Sequence, residues 1–270
     1  RSVTGLLPPE LEAEKTHLLA NVLMHGARYD EAVQLLDAYR GSSDWVAYAR
    51  YNLGVALVRK GQLTDADRYL TSVGEMAAGT PEMLALRDKA NLALGFAYLQ
   101  ADQPANAKVV LERVRLNGPL SNKALLGAGW ANAALGDFEG ALAPWLELRD
   151  RNLLDAAVQE SWLAVPYAYG KLGANAQAAE YYETAMREFD KEGLSLDKAI
   201  QGLRSTRLLD DLLAQETEDR QGWFWQLKQL PDAPQSRYLY AVLAGNDFQE
   251  GLKNYRDLAF MQHRLGAWAD

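Results

Sequence analysis

Gly136-Asp137-Phe138-Glu139-Gly140-Ala141 lies between two apolar stretches, and Gly129 stands twelve residues before Ala141. Glycine reads as the stop of one helix, and the residues after it as the start of the next. The stretch decides the fold because it recurs. Ala32, Ala66, Ala107 and Ala178 also follow a mostly small residue by twelve positions: Ala20, Gly54, Gly95 and Pro166. A turn signal lies between the members of each pair, at Gly26-Ala27-Arg28-Tyr29, Gly61-Gln62-Leu63, Asp102-Gln103-Pro104 and Gly173-Ala174-Asn175. The step describes a helix, a short turn and a second helix packed closely on the first, since only a small side chain fits where two helix axes nearly touch. Successive alanines are 34, 41, 34 and 37 residues apart, so the chain is a repeat array.

Gly136 to Ala141 and Arg28-Tyr29-Asp30-Glu31-Ala32 resemble the tetratricopeptide repeat, which places glycine, an aromatic and alanine at these offsets. Leu19, Leu53 and Leu94 match its leucine before the first small position, while Ala128 and Val165 depart conservatively. The resemblance covers roughly residues 13 to 190 and implies an all-α, right-handed superhelical solenoid of antiparallel helix pairs, as in bacterial tetratricopeptide proteins. Pro166 departs from the pattern and is expected to kink its helix. An insertion from Met76 to Thr80, with Pro81 after it, lengthens the connection between the second and third units.

The expected organisation is five helix pairs in residues 1–190, continued by residues 191–270. In the latter, Ser195 to Gln215 reads as one long helix, with Leu196, Ile200, Leu203, Leu208, Leu209, Leu212 and Leu213 on one face. Thr217 to Gln221 is a polar break, and Gly222-Trp223-Phe224-Trp225 opens an aromatic segment ended by Pro231 and Pro234, suited to capping a solenoid. Asn246-Asp247-Phe248-Gln249-Glu250-Gly251 repeats the turn, 73 residues after Ala178. Glu192-Gly193 is the hinge needed if the long helix folds back onto the array.

Composition narrows the function. The 270 residues are 49% hydrophobic, enough for a continuous core, and contain no cysteine, which removes disulfides and thiolate chemistry. There is no run of 18 apolar residues to span a membrane, and no signal peptide is visible in the residues that start at Arg1. A net charge of -8 argues against nucleic acid as a partner. His17, His25 and His263 are too few and too far apart for a metal site, and read as surface or groove residues. No phosphate loop and no cofactor motif occurs. Asp210-Asp211 and Glu216-Thr217-Glu218-Asp219 lack the alternating ligands and turn glycine of a calcium loop, and read as solvated acids.

The informative surface is the concave one. In the repeat fold, residues three before, one after and four after the first small position line a groove. They are His17, Asn21 and Met24; Tyr51, Val55 and Val58; Leu92, Phe96 and Leu99; Leu126, Trp130 and Ala133; Leu163, Tyr167 and Gly170. A row this apolar and aromatic is either covered or a binding surface. The family's carboxylate clamp is matched only by Asn21, while Arg59, Lys89, Lys123 and Lys171 fall on the rim. Three occupants compete: a helix or peptide of another protein, the chain's own leucine-rich helix, or a second copy that makes a homo-oligomer. The expected function is a non-catalytic protein-interaction scaffold. One alternative is a cell-wall lytic enzyme with Glu160 as its acid, because Glu160-Ser161 resembles the catalytic pair of lytic transglycosylases, although Trp162-Leu163-Ala164-Val165-Pro166 lacks their glycine-rich continuation. Another is a peptide-sensing regulator. Resemblance to exported bacterial repeat proteins favours the periplasm or cell envelope over the cytoplasm.

Overall fold

The computed structural model describes residues 8–39, 43–204 and 236–269, which are helical apart from short connections and contain no strand. Its compact units are divided between Tyr182 and Glu183. In the first lie α1 (Pro9–His25), α2 (Tyr29–Asp37), α3 (Ser43–Arg59), α4 (Leu63–Gly74), α5 (Pro81–Gln100), α6 (Pro104–Leu111), α7 (Ser121–Ala134), α8 (Phe138–Arg149), α9 (Ala156–Lys171) and the start of α10 (Asn175–Arg204). Each helix from α1 to α8 packs on the next, and the first helices of successive repeats also touch, α1 with α3, α3 with α5, α5 with α7 and α7 with α9.

The five turns are built alike. Ala27, Gly61, Asp102, Gly136 and Gly173 have φ between 55° and 80°, and each lies five residues before its repeat's alanine. The following N–H then donates five residues back, from Arg28 to Leu23 at 2.8 Å and from Gln62, Gln103, Asp137 and Ala174 to Leu57, Tyr98, Asn132 and Tyr169 at 2.9 Å. This closure satisfies a carbonyl that the helix end leaves over. In the first repeat the stop is Ala27 and not the expected Gly26, whose φ is -80°. A left-handed alanine costs about 1–2 kcal/mol, which the remaining contacts of the turn carry.

Ala32, Ala66, Ala107 and Ala141 are fully buried. What presses on the small residue, however, lies sixteen positions after it. A Cβ on Gly54 would fall 2.5 Å from Leu70 Cγ, and one on Gly95 or Gly129 would overlap Leu111 or the Trp145 indole. Pro166 does not end its helix, since α9 continues to Lys171, and Pro144 lies within α8 in the same way. The long connection before α5 ends as read, with Thr80 as a cap whose hydroxyl accepts from Met83 N–H at 3.2 Å and Pro81 at the first turn. Two buried polar groups fix this region. Asn91 donates to Gly74 O at 2.9 Å, and the fully buried Asp88 accepts from Arg115 Nε at 2.7 Å.

The second unit holds the rest of α10, then α11 (Ser236–Leu243) and α12 (Asn246–Ala269). The hinge on which a fold-back would depend is not formed at Glu192-Gly193, since α10 runs unbroken through Gly193. A single interior glycine costs a helix about 1 kcal/mol, too little to stop it. Glu192 is instead an anchor for α11, accepting from Tyr238 Oη at 2.6 Å and from Arg237. Leu196, Ile200 and Leu203 belong to this 30-residue helix. The remainder of the predicted Ser195–Gln215 helix, Thr217–Gln221, the Gly222–Trp225 segment, Pro231, Pro234 and the two acidic pairs lie outside the described residues. α11 and α12 form a helix–turn–helix joined by Ala244-Gly245, with Leu243 and Leu252 buried. Gly251 is exposed with open space around it, unlike the alanines of the first five turns.

Candidate functional site

First helices touch first helices, so the residues read as groove lining lie on successive neighbouring helices of the first unit. Their surroundings differ. Tyr51, Val55 and Val58 pack half-buried against the cluster of Leu70, Val73, Leu86 and Leu94, and burial pushes the Tyr51 phenol above its ordinary pKa. Leu92, Phe96 and Leu99 pack against Ala107, Leu111, Ala128 and Ala131. Leu126 is buried, and its carbonyl accepts from Trp145 Nε1 at 3.2 Å. These side chains serve largely as mortar between repeats.

The row opens at the fifth repeat. Leu163 is 51% exposed and Tyr167 38%. Trp130 meets Trp145 edge-on at 4.9 Å between ring centroids, lies 6.0 Å from Tyr167, and donates from Nε1 to Glu160 Oε1 at 2.6 Å. Phe138 meets Tyr167 edge-on, also at 6.0 Å. Lys171 places Nζ 5.5 Å from the Tyr167 ring centroid, an attractive geometry for an ammonium over a π face. Beside them is a cavity of about 520 Å3, lined by residues that include Pro166, Tyr167, Gly170, Lys171 and Tyr182. Tyr182, 43% exposed, escaped the sequence reading. Its signal was present as the sixteenth residue after Pro166, the spacing that joins Gly129 to Trp145.

Other candidates fall elsewhere. His17 is 7% exposed and not a surface residue. Its ring stacks on Trp45 at 4.9 Å and is flanked by Tyr39 and Tyr48, with Nδ1 3.4 Å from Asn52 Nδ2. Burial lowers its pKa, partly countered by a backbone hydrogen bond at Trp45. Trp45 and Tyr48, three apart on α3, were the overlooked signal. Asn21 is exposed, as are the rim residues Arg59, Lys89, Lys123 and Lys171, and none of these four cations makes an ion pair among the described residues. Glu160 is exposed, its carboxylate engaged by Trp130. Among the described residues no group of three or more His, Asp or Glu could hold a metal ion, and no helix is long and apolar enough to cross a membrane.

Solved structures place this architecture among known ones. The chain is similar to a Podosopora anserina putative kinesin light chain with nearly identical TPR-like repeats, at 20% identity, TM-score 0.53, over 69% of this chain and 99% of that one. A second structure of that protein, a single-substitution form, aligns at 20% identity and TM-score 0.52, over 70% and 99%. A crystal structure of MamA aligns at 16% identity and TM-score 0.51, over 64% and 96%. Likeness at such identities is likeness of fold, and the chain is an all-α, tetratricopeptide-like solenoid. No profile of a known protein family matches the sequence, and no curated protein does.

Proposed function

We propose that the protein is a non-catalytic protein-interaction scaffold that takes a helix or peptide on its aromatic groove, at the fifth-repeat end. The observation that carries this reading is the uncovered pair Leu163 and Tyr167 beside Trp130 and the adjoining cavity. Exposed aromatics ringed by polar groups are what interfaces use as anchors. Tyr51, Val55, Leu92, Phe96, Leu99 and Leu126 hold the repeats in register and so shape that surface. Lys171, and more distantly Arg59, Lys89 and Lys123, favour an acidic partner by steering.

The lytic reading has less support. A glycosidase acid is held protonated in an apolar cleft opposite a second carboxylate. Glu160 is exposed and accepts a hydrogen bond from an indole. In an affinity capture comparing wild type with the Phe96→Ala, Trp130→Ala double variant, the variant loses partners that wild type retains. Identical partner sets, with both proteins folded by circular dichroism, would refute the groove. Activity on peptidoglycan that disappears in Glu160→Gln would refute the non-catalytic role.

A further inference from the structure

The cavity of the fifth repeat has a filled counterpart one repeat earlier. Tyr167, Gly170, Ala178, Ala179 and Tyr182 stand 37 residues after Trp130, Ala133, Ala141, Leu142 and Trp145. Those five belong to the cluster that α9 closes with Ala157, Ala164, Val165 and Ala168, all 5% exposed or less. The fifth repeat therefore presents the surface on which a first helix lies, and within the first unit no further helix follows to lie on it. Trp145 is fully buried whereas Tyr182 is 43% exposed. The earlier second helices, 8 to 12 residues long, end and let the next first helix return, while α10 continues for 30.

The complementary surface is at the other end of the same unit. Subtracting 146 residues, the distance from Pro166 to Ala20, carries Ala157, Ala164, Val165 and Ala168 onto Leu11, Leu18, Leu19 and Val22. This is the face by which a first helix covers the repeat before it, and on α1 it is 44–66% exposed. The sizes match in reverse. Every one of these four α1 residues is larger than its α9 counterpart, while Tyr182, Gly170 and Ala179 are smaller than Trp145, Ala133 and Leu142. Glu14 falls at the place of Glu160, which on α9 accepts from Trp130. In the fifth repeat Tyr167 replaces that tryptophan and Lys171 adds a cation beside it. Lys15 takes the place of Ser161, with its ammonium tied to Glu12 at 3.3 Å and an apolar stem left to pack.

We infer that the fifth-repeat surface is a seat for α1 of a second copy of this chain, so that copies associate head to tail. The inference rests on the proposed binding role of this face and names its occupant. A contact between two different surfaces does not close by twofold symmetry, so it extends into chains or rings.

Two variants test it in the full chain. Leu18→Glu alters an exposed residue of α1, and Gly170→Trp fills the cavity from a position whose Cβ meets nothing within 4 Å. By light scattering across a concentration series, wild type is expected to self-associate, and each variant to do so about tenfold more weakly or worse. Mixing the two variants restores one intact seat and one intact α1, and should yield a one-to-one complex that grows no further. Thermal melts confirm that both variants fold. Wild type that stays monomeric, association that survives in both variants, or a mixture that forms no complex would overturn the inference. Monomeric wild type that nonetheless captures another protein, and loses it in Gly170→Trp, would assign the seat to that protein and leave the scaffold role standing. Monomeric wild type that associates only once residues 205–235 are deleted would assign it to the chain itself, again against the inference.

Discussion

At Gly129 the requirement for glycine is steric, because the Trp145 indole lies where a Cβ would be. The indole is fully buried and cannot swing away, since its Nε1 donates to Leu126 O. Gly129→Ala is therefore expected to destabilise the first unit by about 1–3 kcal/mol, the usual cost of overpacking. Urea unfolding measures it, and Gly170→Ala, at an open position, is the control that should show no loss. The twelve-residue spacing of small side chains was legible in the sequence because it is a property of types along the chain. Its cause was not, since the obstructing group sits a further turn along the second helix, and only the crossing of two helices brings Trp145 over Gly129. Ala27 makes the same point in reverse: glycine lies next door, yet the backbone puts its left-handed residue where the repeat geometry requires it.

For helices, punctuation misled where it was weak. Gly193 carries a breaker signal, yet α10 runs through it. Strong stops combine a left-handed residue with a backbone bond five residues back, as at Gly136 and Asp137. Gly193 has neither, and Glu192 beside it is held by Arg237 and Tyr238 from α11. Gly193→Ala should then stabilise the protein by about 0.5–1 kcal/mol through helix propensity alone. Thermal denaturation followed by circular dichroism gives the sign, and a lower melting temperature would show that the chain needs a hinge there. The groove divides by the same logic. Phe96 shares its offset with Tyr167, and Tyr51 and Leu126 share theirs with Leu163, but whether such an offset is core or surface depends on whether another helix follows.

The first unit is a series of neighbour contacts, so a local perturbation in it should act locally. His17, between Trp45, Tyr39 and Tyr48, bridges the first two repeats. Its pKa is lowered from 6.5 by burial, so the folded state holds it neutral while the unfolded chain takes up a proton as pH falls below 6.5. Stability contributed here is present above that pH and lost progressively below it. Hydrogen exchange, corrected for intrinsic rates, should show protection falling between pH 7.5 and 5.5 in α1 and α3 while α7 and α9 keep theirs. A His17→Gln variant should lack this difference, and an equal loss along the array would exclude His17 as its source.

Local pattern determined the positions of the five turns and the helices that they separate, because small residues, breakers and apolar spacing act within one or two helical turns. Tertiary structure alone decided which of the residues read as groove lining are core and which are exposed, that His17 is buried among three aromatic rings, and that Leu163, Tyr167 and Tyr182 of the fifth repeat are exposed. Burial and exposure depend on what packs from distant parts of the chain, and no spacing within one repeat reports whether the next helix returns to cover it.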